Sequence, residues 1–310
     1  MRSGTVALLG RPNAGKSTLI NALLGEKVAI VSAKPQTTRH RITGVLSEER
    51  GQAVIFDLPG VHRPMHRLNV QMMHALRDTL TEVDLVLQLF DAGQEPGGGE
   101  EFVVGLLDGL EARTVLLPNK VDLAGVADRL DERVAFYTSR GSYAAVIPIS
   151  ALRRDGLDAL KNTIFELLPE GPPLLDPSLT TTQSERFYVA ELIREAVLER
   201  VEKELPFTST VHLRAFEEEE TGAGPLLRIF ADIVVDRDSQ KGIVVGRGGA
   251  MIKDIGIAAR GRIEGLLGAR VYLDLRVKAR PGWREDPRFL AELDPVEVPW
   301  APPEEEPEKP

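Results

Sequence analysis

Up to about residue 170 the chain alternates short apolar runs with amphipathic stretches, and then its rhythm changes. TVALLG (Thr5–Gly10) is a fully apolar strand. STLINALLG has helical spacing: Leu19, Leu23 and Leu24 share a face, and Gly25 is placed as a C-cap. AVIFD ends a second apolar strand at Asp57, TVLL (Thr114–Leu117) is a third, and AAVIPISAL reads as a fourth that ends at Ser150–Ala151. Helical stretches fall between and after them, at Leu68–Leu80, Glu100–Leu110 and Leu157–Leu168. This alternation predicts an α/β domain over residues 1–170, with a mostly parallel sheet and helices on both faces. Such sheets bind ligands beyond the carboxyl ends of their strands.

LPEGPPLLDPSLTTT then breaks the pattern, and residues 171–182 read as a linker. SERFYVAELIREAVLERVEKELP predicts one long amphipathic helix stopped by Pro206. FTSTVHLRAFE alternates as a strand, EEETGAGP reads as a polar turn, and LLRIFADIVVD is a second strand. A helical region around Gly246-Arg247-Gly248-Gly249 and the strand ARVYLDLRVK complete the order helix–strand–strand–helix–helix–strand over residues 183–285. Residues 286–310 end in APPEEEPEKP, an acidic, proline-rich tail expected to be disordered.

Composition narrows the setting. The 310 residues are 43% hydrophobic, enough for two folded cores. The absence of cysteine excludes disulfides and cysteine zinc sites and suits a reducing, cytoplasmic compartment. No apolar run approaches the ~18–20 residues of a membrane span. The N-terminus passes almost directly into a strand, so no signal peptide is expected.

Between the first strand and helix stands Gly10-x-x-x-x-Gly15-Lys16-Ser17, a phosphate-binding loop. Glycine lets successive backbone N–H groups curl around phosphate, and the helix N-terminus adds partial positive charge. Lys16 would reach the outer phosphates and the Ser17 hydroxyl would meet Mg²⁺; Asn13, Ala14 and Thr18 complete the cradle. At the third strand end, Asn119-Lys120-Val121-Asp122 selects guanine. The Asp122 carboxylate can accept both N1–H and N2–H, which adenine does not offer. Asn119 would brace the loop, Lys120 would cover the base, and a backbone N–H at Ser150–Ala151 would reach the guanine O6. Pro118 removes a ladder donor just before this loop and predicts a slightly displaced base site. Asp57 would hold the Mg²⁺ shell, Gly60 would sense the γ-phosphate, and Thr38, or failing it Thr37, would close over the metal. The metal set is thus Ser17, Thr38 and Asp57; the catalytic set is Asn13, Lys16, Thr38 and Gly60.

At position 61, where many small GTPases orient water with glutamine, this chain has Val61; His62 beside it reads as a solvated loop residue. Intrinsic GTP hydrolysis should therefore be slow and raised by a partner or an ion.

In the second domain, charge reverses. The whole chain carries −9, yet Arg237–Arg288 holds twelve Lys/Arg against six Asp/Glu. A GxxG loop joining two helices is the backbone clamp of a KH module, and the element order matches its type II variant. Gly246, Arg247, Gly248, Gly249 and Lys253 are the candidate contacts to single-stranded RNA.

GRPNAGKSTLINALLG, SAKPQTTRHRI, DLPGVHRP, NKVDL, KGIVVGRGGAMIKDIG and VKARPGW together resemble the Era family of bacterial GTPases with a C-terminal KH domain. The resemblance runs from about Gly4 to Trp283 and implies a GTPase that binds the 3′ end of small-subunit ribosomal RNA and assists small-subunit maturation. It also implies GTP/GDP and Mg²⁺ as ligands, and a K⁺ ion held by Asn13 in place of an arginine finger. Gly248 departs from the family, where a basic residue is common, and the acidic tail extends beyond Trp283. A monomer is the working expectation, with weak contact between the basic patch and anionic lipid at the inner membrane face. The alternative reading is an RNA-binding scaffold with structural nucleotide and incidental turnover. A tRNA-modifying GTPase is disfavoured, because no cysteine is present to act as a nucleophile.

Overall fold

The computed structural model describes residues 1–34, 37–61, 67–222 and 224–293. His62 and the APPEEEPEKP tail lie outside the described residues. The first domain contains strands β1 (Arg2–Gly10), β2 (Ile42–Glu48), β3 (Gly51–Asp57), β4 (Leu85–Asp91), β5 (Arg113–Asn119) and β6 (Ala145–Val146). Its helices are α1 (Lys16–Leu24), α2 (Arg67–Glu82), α3 (Gly98–Gly105), α4 (Leu130–Thr138) and α5 (Leu157–Leu167). The sheet order is β2-β3-β1-β4-β5-β6, with only β2 antiparallel to its neighbour. Val6, Leu8, Leu85 and Leu87 face one apolar layer with α1 and α5, while Ala7, Leu9 and Val86 face another with α2 and α3. The near-continuous apolar runs follow from burial of both sheet faces.

The second domain contains α6 (Glu185–Leu198), α7 (Leu205–Thr208), β7 (Ser209–Thr221), β8 (Gly224–Val235), α8 (Asp238–Val245), α9 (Ala250–Leu267) and β9 (Arg270–Ala279). Its sheet runs β7-β8-β9, with β8 and β9 parallel. A last helix, α10 (Pro287–Leu293), follows it.

Several elements differ from the sequence expectation. The long first helix of the second domain ends at Leu198; Pro206 lies inside the separate α7, near its N-terminus, where a missing N–H costs nothing. Glu218–Glu220 continue β7 instead of turning, because each pairs in register with β8, and Glu219 meets Arg228 at 3.3 Å. The expected fourth strand shrinks to Ala145–Val146, with a single bridge from Asn119 to Ile149 beyond it. Pro148 in that stretch has no N–H to donate. α3 stops at Gly105 rather than Leu110.

The linker is tied down. Leu174 and Leu175 donate N–H to Gln52 Oε1 at 2.8 Å each, and Thr180 accepts from the Val45 N–H at 2.8 Å, covering the β2 edge. The segment from residue 286 does not begin as a disordered tail. Asp286 accepts N–H groups of Arg288 and Phe289 at the start of α10, and Phe289 and Leu290 are buried with Leu68, Met72, Val234 and Trp283. Apolar burial there outweighs the acidic composition that suggested disorder.

Candidate nucleotide site and nucleic-acid interface

β1 ends at Gly10 and α1 begins at Lys16, so the loop between them sits at the carboxyl edge of the sheet. Gly15 has φ +100°, and a Cβ there would stand 2.2 Å from Asn119 Nδ2; only glycine allows this closure. Lys16 is buried and donates from Nζ to the carbonyls of Gly10 (3.0 Å) and Arg11 (3.1 Å). Burial pushes its pKa below the usual lysine value, opposed by the Asp57 carboxylate.

Three oxygen-bearing side chains converge beside it. Ser17 Oγ donates to Asp57 Oδ2 at 2.6 Å, lies 2.9 Å from Thr38 Oγ1, and Thr38 Oγ1 donates to the same carboxylate oxygen at 3.3 Å. Thr37 does not join them; its hydroxyl donates to the Lys34 carbonyl at 2.6 Å, so Thr38 rather than Thr37 faces the cluster. Asp57 is fully buried, and its Oδ1 has no hydrogen-bond partner among the described residues. Burial raises its pKa, with Lys16 and the two hydroxyls acting against the shift. A buried carboxylate oxygen without a donor fits a hard divalent cation, and hydroxyl and carboxylate oxygens are the ligands Mg²⁺ takes.

The base end is as tightly built. Asn119 donates to the Ala14 carbonyl at 2.8 Å and accepts the Ala151 N–H at 3.0 Å, so one amide joins the phosphate loop to the segment after β6. Of the two backbone N–H groups at Ser150–Ala151, that of Ala151 is thus donated to Asn119 and that of Ser150 to the Asp155 carbonyl at 3.1 Å. Pro118 holds its register opposite Phe90 and accepts the Ile149 N–H at 2.8 Å. The expected displacement of the base loop has no counterpart in these bonds. Lys120 pairs with Asp91 at 2.6 Å. The Asp122 carboxyl is held below its ordinary pKa, first by the Ser150 hydroxyl and also by nearby Arg153 and Lys120. Between these ends opens a cleft of about 530 Å³, lined among others by Asn13, Gly15, Thr18, Gly60, Lys120 and Leu152. That volume lies in the ~300–1,000 Å³ range of small-molecule sites.

Val61 is buried against Leu58, Met73 and Leu76, and its N–H donates to the Gly10 carbonyl at 3.1 Å. Its side chain serves the core, in keeping with the expectation that it orients no water. Asn13 donates Nδ2 to the Ala33 carbonyl at 3.0 Å.

The Gly246–Gly249 loop joins α8 to α9 and is built from three left-handed glycines, at φ +74°, +60° and +82° for 246, 248 and 249. Arg247 and Lys253 are exposed, and with Arg260 they form no ion pair among the described residues. Other cations counted in the sequence are consumed: Arg262 by Glu195 and Glu199, Lys278 by Asp232, Arg280 by Asp286. Arg247, Lys253 and Arg260 thus place cations without an ion pair among the described residues on the loop and α9. Exposed Ile243 and Ile257 flank it as apolar surface.

Sequence reasoning missed Asp91, although a carboxylate ending an apolar run was the available signal. It also missed Arg39 and Arg194. Arg39 donates to the carbonyls of Ser209 (2.9 Å) and Pro206 (2.8 Å), and Arg194 donates to the Thr37 carbonyl. Burial, and then repulsion from Arg194, press the Arg39 pKa down to about 9, which leaves it charged at neutral pH.

A family model described as 50S ribosome-binding GTPase matches residues 5–120, and a KH-domain model matches residues 199–284. GTPase Era of Heliobacterium modesticaldum is 44% identical over 290 residues, covering 94% of this chain and 96% of that protein. A crystal structure of Era with MgGDPNP and nucleotides 1506–1542 of 16S ribosomal RNA superposes with TM-score 0.89 at 35% identity, covering 94% of this chain and 98% of that one. An Aquifex aeolicus Era variant bound to GDP·AlF4⁻ gives TM-score 0.87 at 35% identity, over 94% and 99% of the two chains. With a nucleotide cleft at one end and an exposed GxxG helix pair at the other, this chain belongs to the Era family of GTPases.

Proposed function

We propose that this protein is a GTP-hydrolysing switch whose KH module binds single-stranded RNA at the 3′ end of small-subunit ribosomal RNA and assists small-subunit maturation. The observation that carries the catalytic half is the buried cluster of Asp57, Ser17 and Thr38, with Asp57 Oδ1 unpartnered. These residues would hold Mg²⁺, which supplies positive charge against the β- and γ-phosphates. Lys16 binds the same phosphates once its bonds to Gly10 and Arg11 are exchanged for phosphate oxygens. Gly60 places its N–H at the γ-phosphate end, and Asp122 accepts the guanine N–H pair. Since Val61 positions no water, turnover depends on charge at the phosphates. Asn13 would hold K⁺ there through its side-chain carbonyl, and faster turnover in potassium than in sodium buffer is the check.

The residues 1–170 act as the nucleotide domain and 183–285 as the RNA domain, with the helix at Pro287–Leu293 joined to both. The protein would work as a cytoplasmic monomer with weak contact to anionic lipid through the basic loop. Among the described residues no helix is long and apolar enough to cross a membrane. Sedimentation with and without anionic vesicles tests both points. The decisive measurement is affinity for a single-stranded 16S 3′-end oligonucleotide with GDP and with a non-hydrolysable GTP analogue. Tighter binding with the analogue supports the switch; equal affinities support a scaffold with incidental turnover.

A further inference from the structure

The residue that faces the metal cluster, Thr38, is gripped on both flanks by the second domain. On one side the Thr37 carbonyl accepts from Arg194 of α6, a side chain itself buried and chelated by Glu191 at 2.5 and 2.7 Å. On the other side Arg39, 5% exposed, places its two terminal nitrogens on the Ser209 and Pro206 carbonyls, and its guanidinium lies 5.7 Å from the Trp283 ring centre. Both carbonyls belong to the junction of α7 and β7. Upstream, Ile30 lies in the apolar core of the second domain, and the Val31 N–H donates to Glu195 Oε1 of α6 at 2.9 Å.

This is a poor arrangement for stability alone. Arg39 is a buried cation resting on neutral carbonyls, with Arg194 and Arg284 of like charge around it and Glu191 as the opposing carboxylate. Arg39 Nε, Arg194 Nη1 and Arg284 Nε have no hydrogen-bond partner among the described residues. An apolar side chain would pack into such a seam at lower desolvation cost. What the guanidinium offers is a planar fork that fixes two acceptors at once, and hence the direction of the backbone at residue 38.

We propose that Arg39 is a positioning residue of the GTPase site: docked on the Pro206 and Ser209 carbonyls, it holds Thr38 so that its hydroxyl meets Ser17 and Asp57. The KH module thereby completes the metal end of the nucleotide site. The proposal rests on the reading of Thr38 as a Mg²⁺ ligand in the triphosphate state. By linkage, triphosphate that seats Thr38 also favours the docked arrangement of α6 and α7, and RNA that favours that arrangement tightens triphosphate binding.

The test uses the full chain, Mg²⁺, GDP and a non-hydrolysable GTP analogue. Thr38→Ala should weaken the analogue and spare GDP; if it spares the analogue too, the metal-ligand reading fails and takes the proposal with it. Given that control, Arg39→Met should weaken the analogue by about tenfold and change GDP by less than about twofold. Arg39→Met combined with Thr38→Ala should be no worse than Thr38→Ala alone, because the arginine acts through the threonine. Arg39→Lys should recover only part of the loss. Equal weakening of both nucleotides, or multiplying effects of the two substitutions, would overturn the proposal. Should Arg39→Met not fold, Arg194→Met releases the other flank and must show the same selective loss.

Discussion

The two phosphate grips in this chain are built in opposite ways. Asp57, Asn119 and Lys16 are buried, and each is already hydrogen-bonded to the phosphate loop or its first helical turn before any nucleotide is considered. Around Gly246–Gly249 the functional groups are exposed, and Arg247 and Lys253 hold no ion pair among the described residues. The difference follows from the ligands. A nucleotide is compact and can be enclosed, so buried dipoles and charges act in a low dielectric and discriminate sharply. An RNA strand is long and hydrated, so cations must stay in water and each contributes modestly. Substitutions in the first grip should therefore be nearly all-or-none, and those in the second graded and salt-dependent.

The largest expected effect is at the buried carboxylate. Asp57→Asn replaces a charge that the site has enclosed, and GTP turnover should fall by about 10²–10³-fold. RNA binding without nucleotide should stay within about twofold, since the two grips are separate. A filter-binding assay beside a phosphate-release assay checks both; parallel losses would break the contrast. Next is base choice. Asp122→Asn should cost about 10²-fold or more in GTP affinity and favour xanthosine nucleotides, because the exchanged amide offers a donor where guanine has one. Unchanged GTP affinity would remove Asp122 from the base site.

A smaller effect is expected at the open grip. Arg247→Ala should weaken single-stranded RNA binding by roughly threefold to tenfold at moderate salt and lower the salt slope by about 0.7. GTP affinity should not move. A salt-independent loss would mean that Arg247 shapes the loop rather than meeting phosphate.

The same contrast explains what could be read from the sequence. Gly10, Gly15, Lys16, Ser17, Asn119 and Asp122 were legible because phosphate and guanine geometry dictates residue type and spacing. Thr38 was legible only as one of two hydroxyls; the choice over Thr37 depends on where the backbone is held. That hold was silent, since Arg39 and Arg194 act on main-chain carbonyls, which carry no signature in sequence, across 157 to 170 positions. Val61 could be excluded as a water-orienting group, but its place in the core below Leu58 required the fold. α10 was hidden by its acidic surroundings, because two buried side chains, Phe289 and Leu290, decide its order while composition averages them away. The proline signal misled at Pro206, which lies in the first turn of a separate helix instead of ending the long one, while Pro118 sits in a strand that keeps its register.

The smallest effect is expected at Gly248. Gly248 has φ +60° and open space where a Cβ would be, so a larger residue meets no clash but must adopt the left-handed region. That conformation costs a non-glycine residue about 1–2 kcal/mol. A lysine there would add one phosphate contact, worth about 1 kcal/mol near an anionic surface. A lysine loop that leaves the left-handed region when free must return to it on binding, so the two terms nearly cancel and Gly248→Lys should leave RNA affinity within about threefold of the parent at moderate salt. The salt slope should nonetheless steepen by about 0.7, because another counterion is released from the single strand. An unchanged slope would mean that position 248 faces away from the strand, and the clamp would then rest on Arg247 and the backbone alone.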